Sequence, residues 1–233
     1  MKTIYEQTKL IAHRGLSSRY CENTYPAFLN ACEKDFYGIE CDIQFTADNK
    51  IVCFHDRTLK RLAGDNRVLT TLKYRELKNK KLSINRIKGI FKICPFKKYL
   101  RLCKKYNKKS IVEIKGRPSN KQLDALLKLI ERKRALHNYI IISFTSSVLT
   151  YIRSKNSTIK LQLLTRRPLR RYINFCKTYN INISFMKPLA TYETIKRYRA
   201  HNIEVSVWVV NTKPEAQSFV DNGIEHITSN FLL

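Results

Sequence analysis

The feature that most constrains the fold is a series of short apolar runs that alternate with amphipathic stretches along the 233-residue chain. Short apolar runs predict buried strands, and the amphipathic stretches between them predict helices. We expect parallel strands near residues 11, 40, 112, 141, 162, 183, 207 and 226, eight in all. Strands that alternate with helices form a parallel sheet, so eight such units predict an α/β fold, the (β/α)8 TIM barrel.

A further apolar run at residues 51–54 follows the strand that ends near Thr46. Only the four residues 47–50 connect the two strands. A parallel crossover needs roughly a dozen residues or more, so we predict an antiparallel hairpin with Asp48 and Asn49 at its tip. Such a hairpin would return the chain toward the second barrel strand.

The net charge of +27 is concentrated in residues 57–109, here called the basic segment, which hold 19 Lys and Arg but only two acids and contribute +17. The hydrophobic pattern is weaker there. We predict a short insertion after the second strand and its hairpin, within a single domain of residues 1–233. A basic surface favours anionic partners such as phosphate esters, anionic lipid or nucleic acid. We expect no nucleic acid, because the segment lacks regular aromatic interleaving and a binding motif; the alternative is a basic composition without any partner.

Titratable side chains lie at the ends of several predicted strands. His13 and Arg14 follow the first apolar run, Glu40 lies in the second strand, and His55 follows the hairpin strand. A hydrophobic core does not favour such groups, so their collection at strand ends indicates a site. In barrels of this kind the site lies at the carboxyl ends of the strands.

Glu40 and Asp42 are separated by a single residue in the second strand. Alternate side chains of a strand share a face, so these carboxylates point the same way. They would repel each other unless a cation lay between them, and hard divalent cations such as Mg²⁺ or Ca²⁺ take oxygen ligands. The alternative is a solvent-facing strand edge, because this spacing is common. The predicted hairpin brings His55 back toward the pair, which favours a site.

The order of the motifs resembles that of the glycerophosphodiester phosphodiesterase family. The resemblance covers nearly the whole chain and rests on this series: His13-Arg14-Gly15, Glu22-Asn23-Thr24, Glu40-Cys41-Asp42, Thr46-Ala47-Asp48, His55-Asp56, Glu113-Ile114-Lys115, Ser143-Phe144 and Trp208-Val209-Val210-Asn211. That family also has the barrel fold. Two positions depart from its pattern, since Cys21 stands where proline is usual and Thr228-Ser229 replaces a Thr-Asp pair.

The resemblance implies a metal centre and a phosphate-binding pair. Glu40, Asp42 and Glu113 would bind one divalent cation, Mg²⁺ or Ca²⁺, and their side-chain chemistry agrees. Arg14 and Lys115 would hold the phosphoryl oxygens, Arg14 through its bidentate fork.

The same resemblance implies proton transfer by His13 and His55, as general base and general acid, because imidazole titrates near neutral pH. Glu22, Asn23 and Trp208 would contact the substrate, with Trp208 against its glycerol or head group. The nucleophile stays open between water and a neighbouring hydroxyl of the substrate.

The implied reaction is the metal-dependent hydrolysis of a small glycerophosphodiester to glycerol 3-phosphate and an alcohol. An alternative on the same barrel is a lysophospholipase D-type or sphingomyelinase D-type activity on lipid diesters. A larger apolar rim at the mouth of the pocket would favour that alternative.

Cysteine usage and the amino terminus bear on the compartment. The seven cysteines are odd in number and lack paired close spacing, which argues against a disulfide framework or a zinc site. Residues 1–9 lack the apolar core of a targeting signal, and no run approaches a membrane span. We therefore expect a cytoplasmic protein. We also expect the basic segment to emerge at the barrel face that carries the site and to hold the enzyme against an anionic membrane.

Overall fold

The computed structural model describes residues 7–84, 87–132, 136–167 and 169–231. Its strands are, in chain order, β1 (Lys9–Ala12), β2 (Gly38–Phe45), β3 (Ile51–Cys53), β4 (Thr58–Leu59), β5 (Asp65–Val68), β6 (Lys81–Ile84), β7 (Ile87–Lys92), β8 (Cys94–Pro95), β9 (Lys109–Ile114), β10 (Tyr139–Ser143), β11 (Lys160–Thr165), β12 (Asn182–Met186), β13 (Val205–Trp208) and β14 (His226–Ser229).

The helices follow the strands in alternation through most of the chain. They are α1 (Tyr25–Cys32), α2 (Lys60–Ala63), α3 (Tyr74–Leu77), α4 (Phe96–Lys105), α5 (Asn120–Glu131), α6 (Ser146–Lys155), α7 (Arg171–Tyr179), α8 (Tyr192–Arg199) and α9 (Lys213–Asp221). Short 3-10 turns cover Leu69–Thr71, Leu136–Asn138 and Lys187–Leu189. Ser119 caps α5 by accepting a hydrogen bond from the backbone N–H of Gln122. Pro168, which is predicted to open a helix, lies outside the described residues.

Eight parallel strands close into a barrel in the order β1-β14-β13-β12-β11-β10-β9-β2, and β2 pairs again with β1. Every neighbouring pair around this ring is parallel. All residues of β2 are buried, as expected for a parallel strand that is covered on both faces. The predicted (β/α)8 fold and its eight strand positions are confirmed.

The side chains of the barrel strands alternate between two environments. Cys41 and Ile43 belong to the large core under the helices, so Glu40 and Asp42 beside them face the barrel interior. A smaller apolar cluster fills part of that interior, and its buried members are Ile11, Ile111, Ile140, Ile142 and Leu164. The strand period therefore places the acidic pair inside the barrel.

The predicted hairpin is confirmed. Strand β3 pairs antiparallel with β2, and the register places Ile51 opposite Phe45 and Cys53 opposite Ile43. Strand β8 adds antiparallel to β3. The insertion packs against this hairpin through a second apolar cluster that includes Phe54. The single domain of residues 1–233 stays a prediction.

The position expected for the basic segment is wrong for its last residues, 104–109. Helix α4 runs toward the amino-terminal end of β9, where Lys109 pairs with Gly38 at the start of β2. The Lys108 ammonium donates to the backbone oxygen of Phe36, just before β2, at 2.8 Å. The cations at the end of the segment therefore lie at the barrel end opposite the carboxyl ends of the strands, namely Lys104, Lys105, Lys108 and Lys109.

Two features of the described chain bear on the expected compartment. All seven cysteines are buried free thiols. Within the described ranges, each helix is too short or too polar to cross a lipid bilayer. The cytoplasmic location stays a prediction.

Candidate active site

The predicted site residues meet at the carboxyl ends of β1, β2, β9 and β13 and at the hairpin. A cavity of about 70 Å³ at the barrel mouth is lined by most of them, and these are His13, Arg14, Glu40, His55, Glu113, Lys115 and Trp208. The other predicted residues, Glu22, Asn23 and Asp42, are bonded directly to this group. The barrel topology thus gathers residues from six separate segments of the chain.

The carboxylates Glu40, Asp42 and Glu113 each offer an oxygen atom within 4.8 Å of the others, and all are buried. Asp42 and Glu113 lie opposite each other in the pairing of β2 with β9. The Glu40 Oε1 atom is buried without a hydrogen-bond partner among the described residues. An orphaned buried oxygen beside two more carboxylates suits a hard divalent cation.

The pKa values of these three acids reflect their burial and the closeness of their carboxylates. Burial, followed by the charges of Asp42 and Glu113, raises the pKa of Glu40 well above its ordinary value. Burial and Asp42 also raise the pKa of Glu113 to about 7. Burial acts in the same direction on Asp42, but Arg14 and Lys115 lower its pKa to about 2. A bound cation would offset the repulsion that holds Glu40 and Glu113 toward the neutral form.

Arg14 is held by three acidic residues. Its Nη1 atom lies 2.7 Å from Glu22 Oε1, and its Nε atom lies 3.1 Å from Asp42 Oδ2. Its backbone N–H donates to Glu40 Oε2 at 2.8 Å. The turn requires glycine next, because Gly15 has φ +81° and a Cβ there would lie 2.6 Å from the Ala27 carbonyl carbon.

Asn23 supports Asp42 and does not line the cavity. Its side-chain N–H₂ donates to Asp42 Oδ2 at 2.8 Å, and its Oδ1 accepts from the Asp42 backbone N–H at 3.0 Å. Asn23 has a positive φ of 57°, a conformation that asparagine tolerates better than most residues. This pairing fixes the orientation of the Asp42 carboxylate.

Lys115 bridges β2 and β9 through their acidic side chains. Its ammonium lies 2.7 Å from Glu113 Oε1 and 3.4 Å from Asp42 Oδ1. Burial opposes its charge, but Asp42 and Glu113 outweigh burial and raise its pKa. Lys115 therefore stays cationic at neutral pH, next to the cavity.

The two histidines have different partners. His13 Nδ1 lies 2.7 Å from Asn230 Oδ1, whereas His55 Nδ1 lies 2.6 Å from the Asp56 carboxylate. Burial and the charge of Arg14 lower the pKa of His13 to about 4. Burial also lowers the pKa of His55, but the Asp42 and Asp56 carboxylates oppose that effect. In both rings Nδ1 is occupied, which leaves Nε2 for a substrate.

Arg61 in α2 is a site residue that the sequence analysis missed. It donates to both Glu22 oxygens at 2.7 and 2.9 Å and to Asp56 Oδ2 at 2.6 Å. Arg61 therefore links Glu22, which pairs with Arg14, to Asp56, which pairs with His55. No sequence signal separates it from the other cations of the basic segment.

Asn230 and Gln44 were also missed. Asn230 follows β14, so its position at a strand end is a usable signal. Gln44 is buried in β2 and donates to the backbone oxygens of Phe54 and Asp56, each at 2.8 Å. A buried glutamine in a strand interior is a signal too, because buried polar groups need partners. Gln44 holds the segment that presents His55.

An aromatic edge completes the cavity. Phe144 and Trp208 pack edge to face with ring centroids 5.7 Å apart. The Arg166 guanidinium lies over the Phe144 ring at 5.3 Å. Trp208 thus faces the cavity and shares this wall with the Arg166 cation, and its contact with a substrate stays a prediction.

A parallel (β/α)8 barrel with ion-paired acids, cations and two histidines at the carboxyl ends of its strands has the architecture of a TIM-barrel enzyme. Comparison with known proteins places the chain more narrowly. The profile of the "Glycerophosphoryl diester phosphodiesterase family" matches residues 13–233, so the chain belongs to that family. The resemblance drawn from the motifs is confirmed.

Individual relatives agree with this family. The chain is 26% identical to "Glycerophosphodiester phosphodiesterase 1" of Bos taurus over 265 residues, which cover 97% of this chain and 79% of the relative. A phosphodiesterase of Oleispira antarctica, solved in complex with the product sn-glycerol-3-phosphate, superposes with a TM-score of 0.87 at 16% identity and covers 98% and 96% of the two chains. A glycerophosphodiester phosphodiesterase of Thermotoga maritima has a TM-score of 0.76 at 24% identity, with 96% and 94% covered.

Proposed function

We propose that this enzyme hydrolyses glycerophosphodiesters to glycerol 3-phosphate and an alcohol. The observation that carries the proposal is that His13 and His55 face one cavity together with Arg14, Lys115 and the carboxylate cluster. A phosphodiester needs its charge neutralised, its nucleophile deprotonated and its leaving group protonated. Family membership supports the reaction class, and the relative solved with sn-glycerol-3-phosphate supports the product.

Glu40, Asp42 and Glu113 would hold one divalent cation, Mg²⁺ or Ca²⁺. When bound, the cation would supply positive charge that polarises the phosphoryl group. The orphaned Glu40 oxygen and the raised pKa values of Glu40 and Glu113 support this assignment. A bound cation would give that oxygen a partner and would favour the charged form of both carboxylates.

Arg14 and Lys115 would bind the phosphoryl oxygens. Acidic residues lie against Nε and Nη1 of Arg14, and no described residue is bonded to its Nη2. Nη2 would therefore donate to the substrate. Lys115 remains charged beside the cavity and would bind a second oxygen as a point charge. Glu22 and Asn23 would act behind these groups, by orienting Arg14 and Asp42, and Trp208 would contact the glycerol.

We assign His13 as the general base and His55 as the general acid. A base must be neutral, and the low pKa of His13, about 4, keeps its imidazole neutral near pH 7. An acid must carry a proton. Burial lowers the pKa of His55, but the Asp42 and Asp56 carboxylates oppose that shift and favour its imidazolium form. His13 would accept the proton of water or of a neighbouring substrate hydroxyl. His55 would donate a proton to the departing alkoxide.

Replacing Asp56 with asparagine should move the alkaline limb of the kcat/KM–pH profile to lower pH. Burial lowers the pKa of His55 and Asp56 opposes it, so removing the carboxylate lowers that pKa further. The protonated acid is then lost at a lower pH. The acid limb, which reports His13, should stay in place. A pH profile of kcat/KM measures both limbs, and an unmoved alkaline limb would contradict the assignment of His55.

Product analysis tests the reaction itself. Glycerophosphocholine and glycerophosphoinositol should each release glycerol 3-phosphate and the free alcohol, and excess EDTA should stop both reactions. Release of glycerol with a phosphorylated alcohol would contradict the proposal. A lysophospholipid in the same panel tests the alternative activity on lipid diesters, which would produce a lysophosphatidic acid.

The rim of the cavity favours the small diester as the first candidate. Among the residues that line the cavity, Phe144 is the one large apolar side chain that is exposed, at 40%. Peripheral binding to an anionic membrane stays a prediction. Fewer cations of the basic segment lie beside the site than expected, because the lysines at the end of the segment lie at the far end of the barrel.

A further inference from the structure

A second cavity adjoins the site on the side of His55. Its volume is about 760 Å³, compared with about 70 Å³ for the cavity at the barrel mouth. The carboxyl end of β2 forms one wall, and the insertion and the β9–α5 loop form the others. Both cavities share His55 and Lys115. A group that leaves from the phosphate on the His55 side would therefore enter the larger cavity.

The lining of this second cavity carries positive charge and no acid. Its charged residues are Arg57, Lys115 and Arg117, and the remainder are neutral apart from His55. Arg57 follows His55 by two positions and Arg117 follows Lys115 by two positions, so both extend directly from the catalytic segments. Charge of one sign along a cleft concentrates anions there.

Arg57 and Arg117 are free to bind a ligand. No ion pair in the described part of the chain involves either residue. Asp56, the residue before Arg57, is paired instead with Arg61, as is Glu22. In a chain of net charge +27, an exposed arginine is often merely solvated. Arg57 and Arg117 differ because both line the same cavity, next to the proposed proton donor His55.

The backbone around both arginines is held in place. Gln44 bonds the backbone oxygen of Asp56, immediately before Arg57, and the Arg57 oxygen accepts from the Leu69 N–H at 3.0 Å. On the opposite wall, the Gly116 oxygen accepts from the Thr145 hydroxyl at 3.0 Å. The guanidinium groups are thus carried by anchored segments.

We propose that this cavity is the subsite for the leaving alcohol and that Arg57 and Arg117 select alcohols that carry a second anionic group, such as a phosphomonoester. The inference rests on the proposed function and adds the substrate class. The diester phosphate binds at Arg14 and Lys115, and the second anion binds between the two arginines. The cleaved bond and the proton donor stay the same.

The test compares glycerophosphoinositol with glycerophosphoinositol 4-phosphate, which differ by one phosphomonoester. In wild type, kcat/KM for the phosphorylated diester should exceed kcat/KM for the unphosphorylated one by at least roughly fivefold. That factor is the upper range for one exposed ion pair. Arg57→Gln and Arg117→Gln should each lower that value roughly two- to fivefold, mainly through KM. Their kcat/KM for the unphosphorylated diester should change little.

Arg197→Gln is the matched control, because it removes one positive charge from an exposed position on α8, away from both cavities. It should leave the preference intact, and raising the salt concentration should reduce the preference in wild type. Equal kcat/KM values for the two diesters in wild type would overturn the subsite while leaving the hydrolase function standing. An equal loss in the Arg197 variant would also overturn it. Absence of hydrolysis of both diesters would overturn the proposed function and the subsite together.

Discussion

Replacing His13 with alanine should lower kcat by about 100- to 10,000-fold, the usual contribution of a positioned base. Substrate binding should survive, because Arg14, Lys115 and the carboxylate cluster are untouched, so KM should change far less than kcat. Steady-state kinetics with a glycerophosphodiester measures both values. His201→Ala is the control, since this histidine is exposed in the turn that follows α8. A His13 variant with near wild-type kcat would refute the base assignment.

The same substitution at His55 separates acid from base. His55→Ala should lose kcat within the same range on a diester with a poor alcohol leaving group. A diester with a p-nitrophenyl leaving group needs no proton at departure, so its hydrolysis by the His55 variant should be impaired much less. The His13 variant should be impaired on both substrates. Equal losses of the two variants on the p-nitrophenyl diester would contradict the assignment of the two roles.

Removing one carboxylate from the cluster should have the second large effect. Glu40→Gln keeps the shape of the side chain but removes a charge, so it should weaken binding of Mg²⁺ or Ca²⁺ by at least about 10- to 100-fold, the range known for residues that only support a ligand. Calorimetric titration measures this without any turnover. Excess EDTA should abolish activity of the wild type. Glu193→Gln, at an exposed position in α8, is the matched control.

Thermal unfolding gives an independent measure of the same site. Without divalent cation, Glu40→Gln should melt no lower than wild type, because burial, Asp42 and Glu113 disfavour the charged form of Glu40 and the neutral amide avoids that cost. With cation, wild type should gain stability and the variant should gain less, because a ligand stabilises the fold that binds it. Full activity in excess EDTA would contradict the metal assignment. So would an equal gain in melting temperature for both proteins.

The barrel and the acidic pair were predictable because they depend on local geometry. Side chains two residues apart in a strand share a face, which put Glu40 and Asp42 together without any knowledge of the fold. The short connection at residues 47–50 admits a hairpin and excludes a parallel crossover, which brought His55 toward the pair. Parallel strands carry their carboxyl ends at one side of a barrel, so residues at strand ends converge there.

Contacts across long sequence separations were decided by the tertiary structure. Arg61 reaches Glu22, 39 positions earlier, and Asn230 reaches His13, 217 positions earlier. Neither pairing leaves a periodic or spacing signal. The basic segment shows the same limit, since its charge could be counted from the sequence but not assigned to one end of the barrel. Helix α4 runs antiparallel to the barrel strands and carries its last lysines away from the site. Sequence periodicity specifies which face of an element a residue occupies, whereas chain direction and packing specify which distant residues it meets.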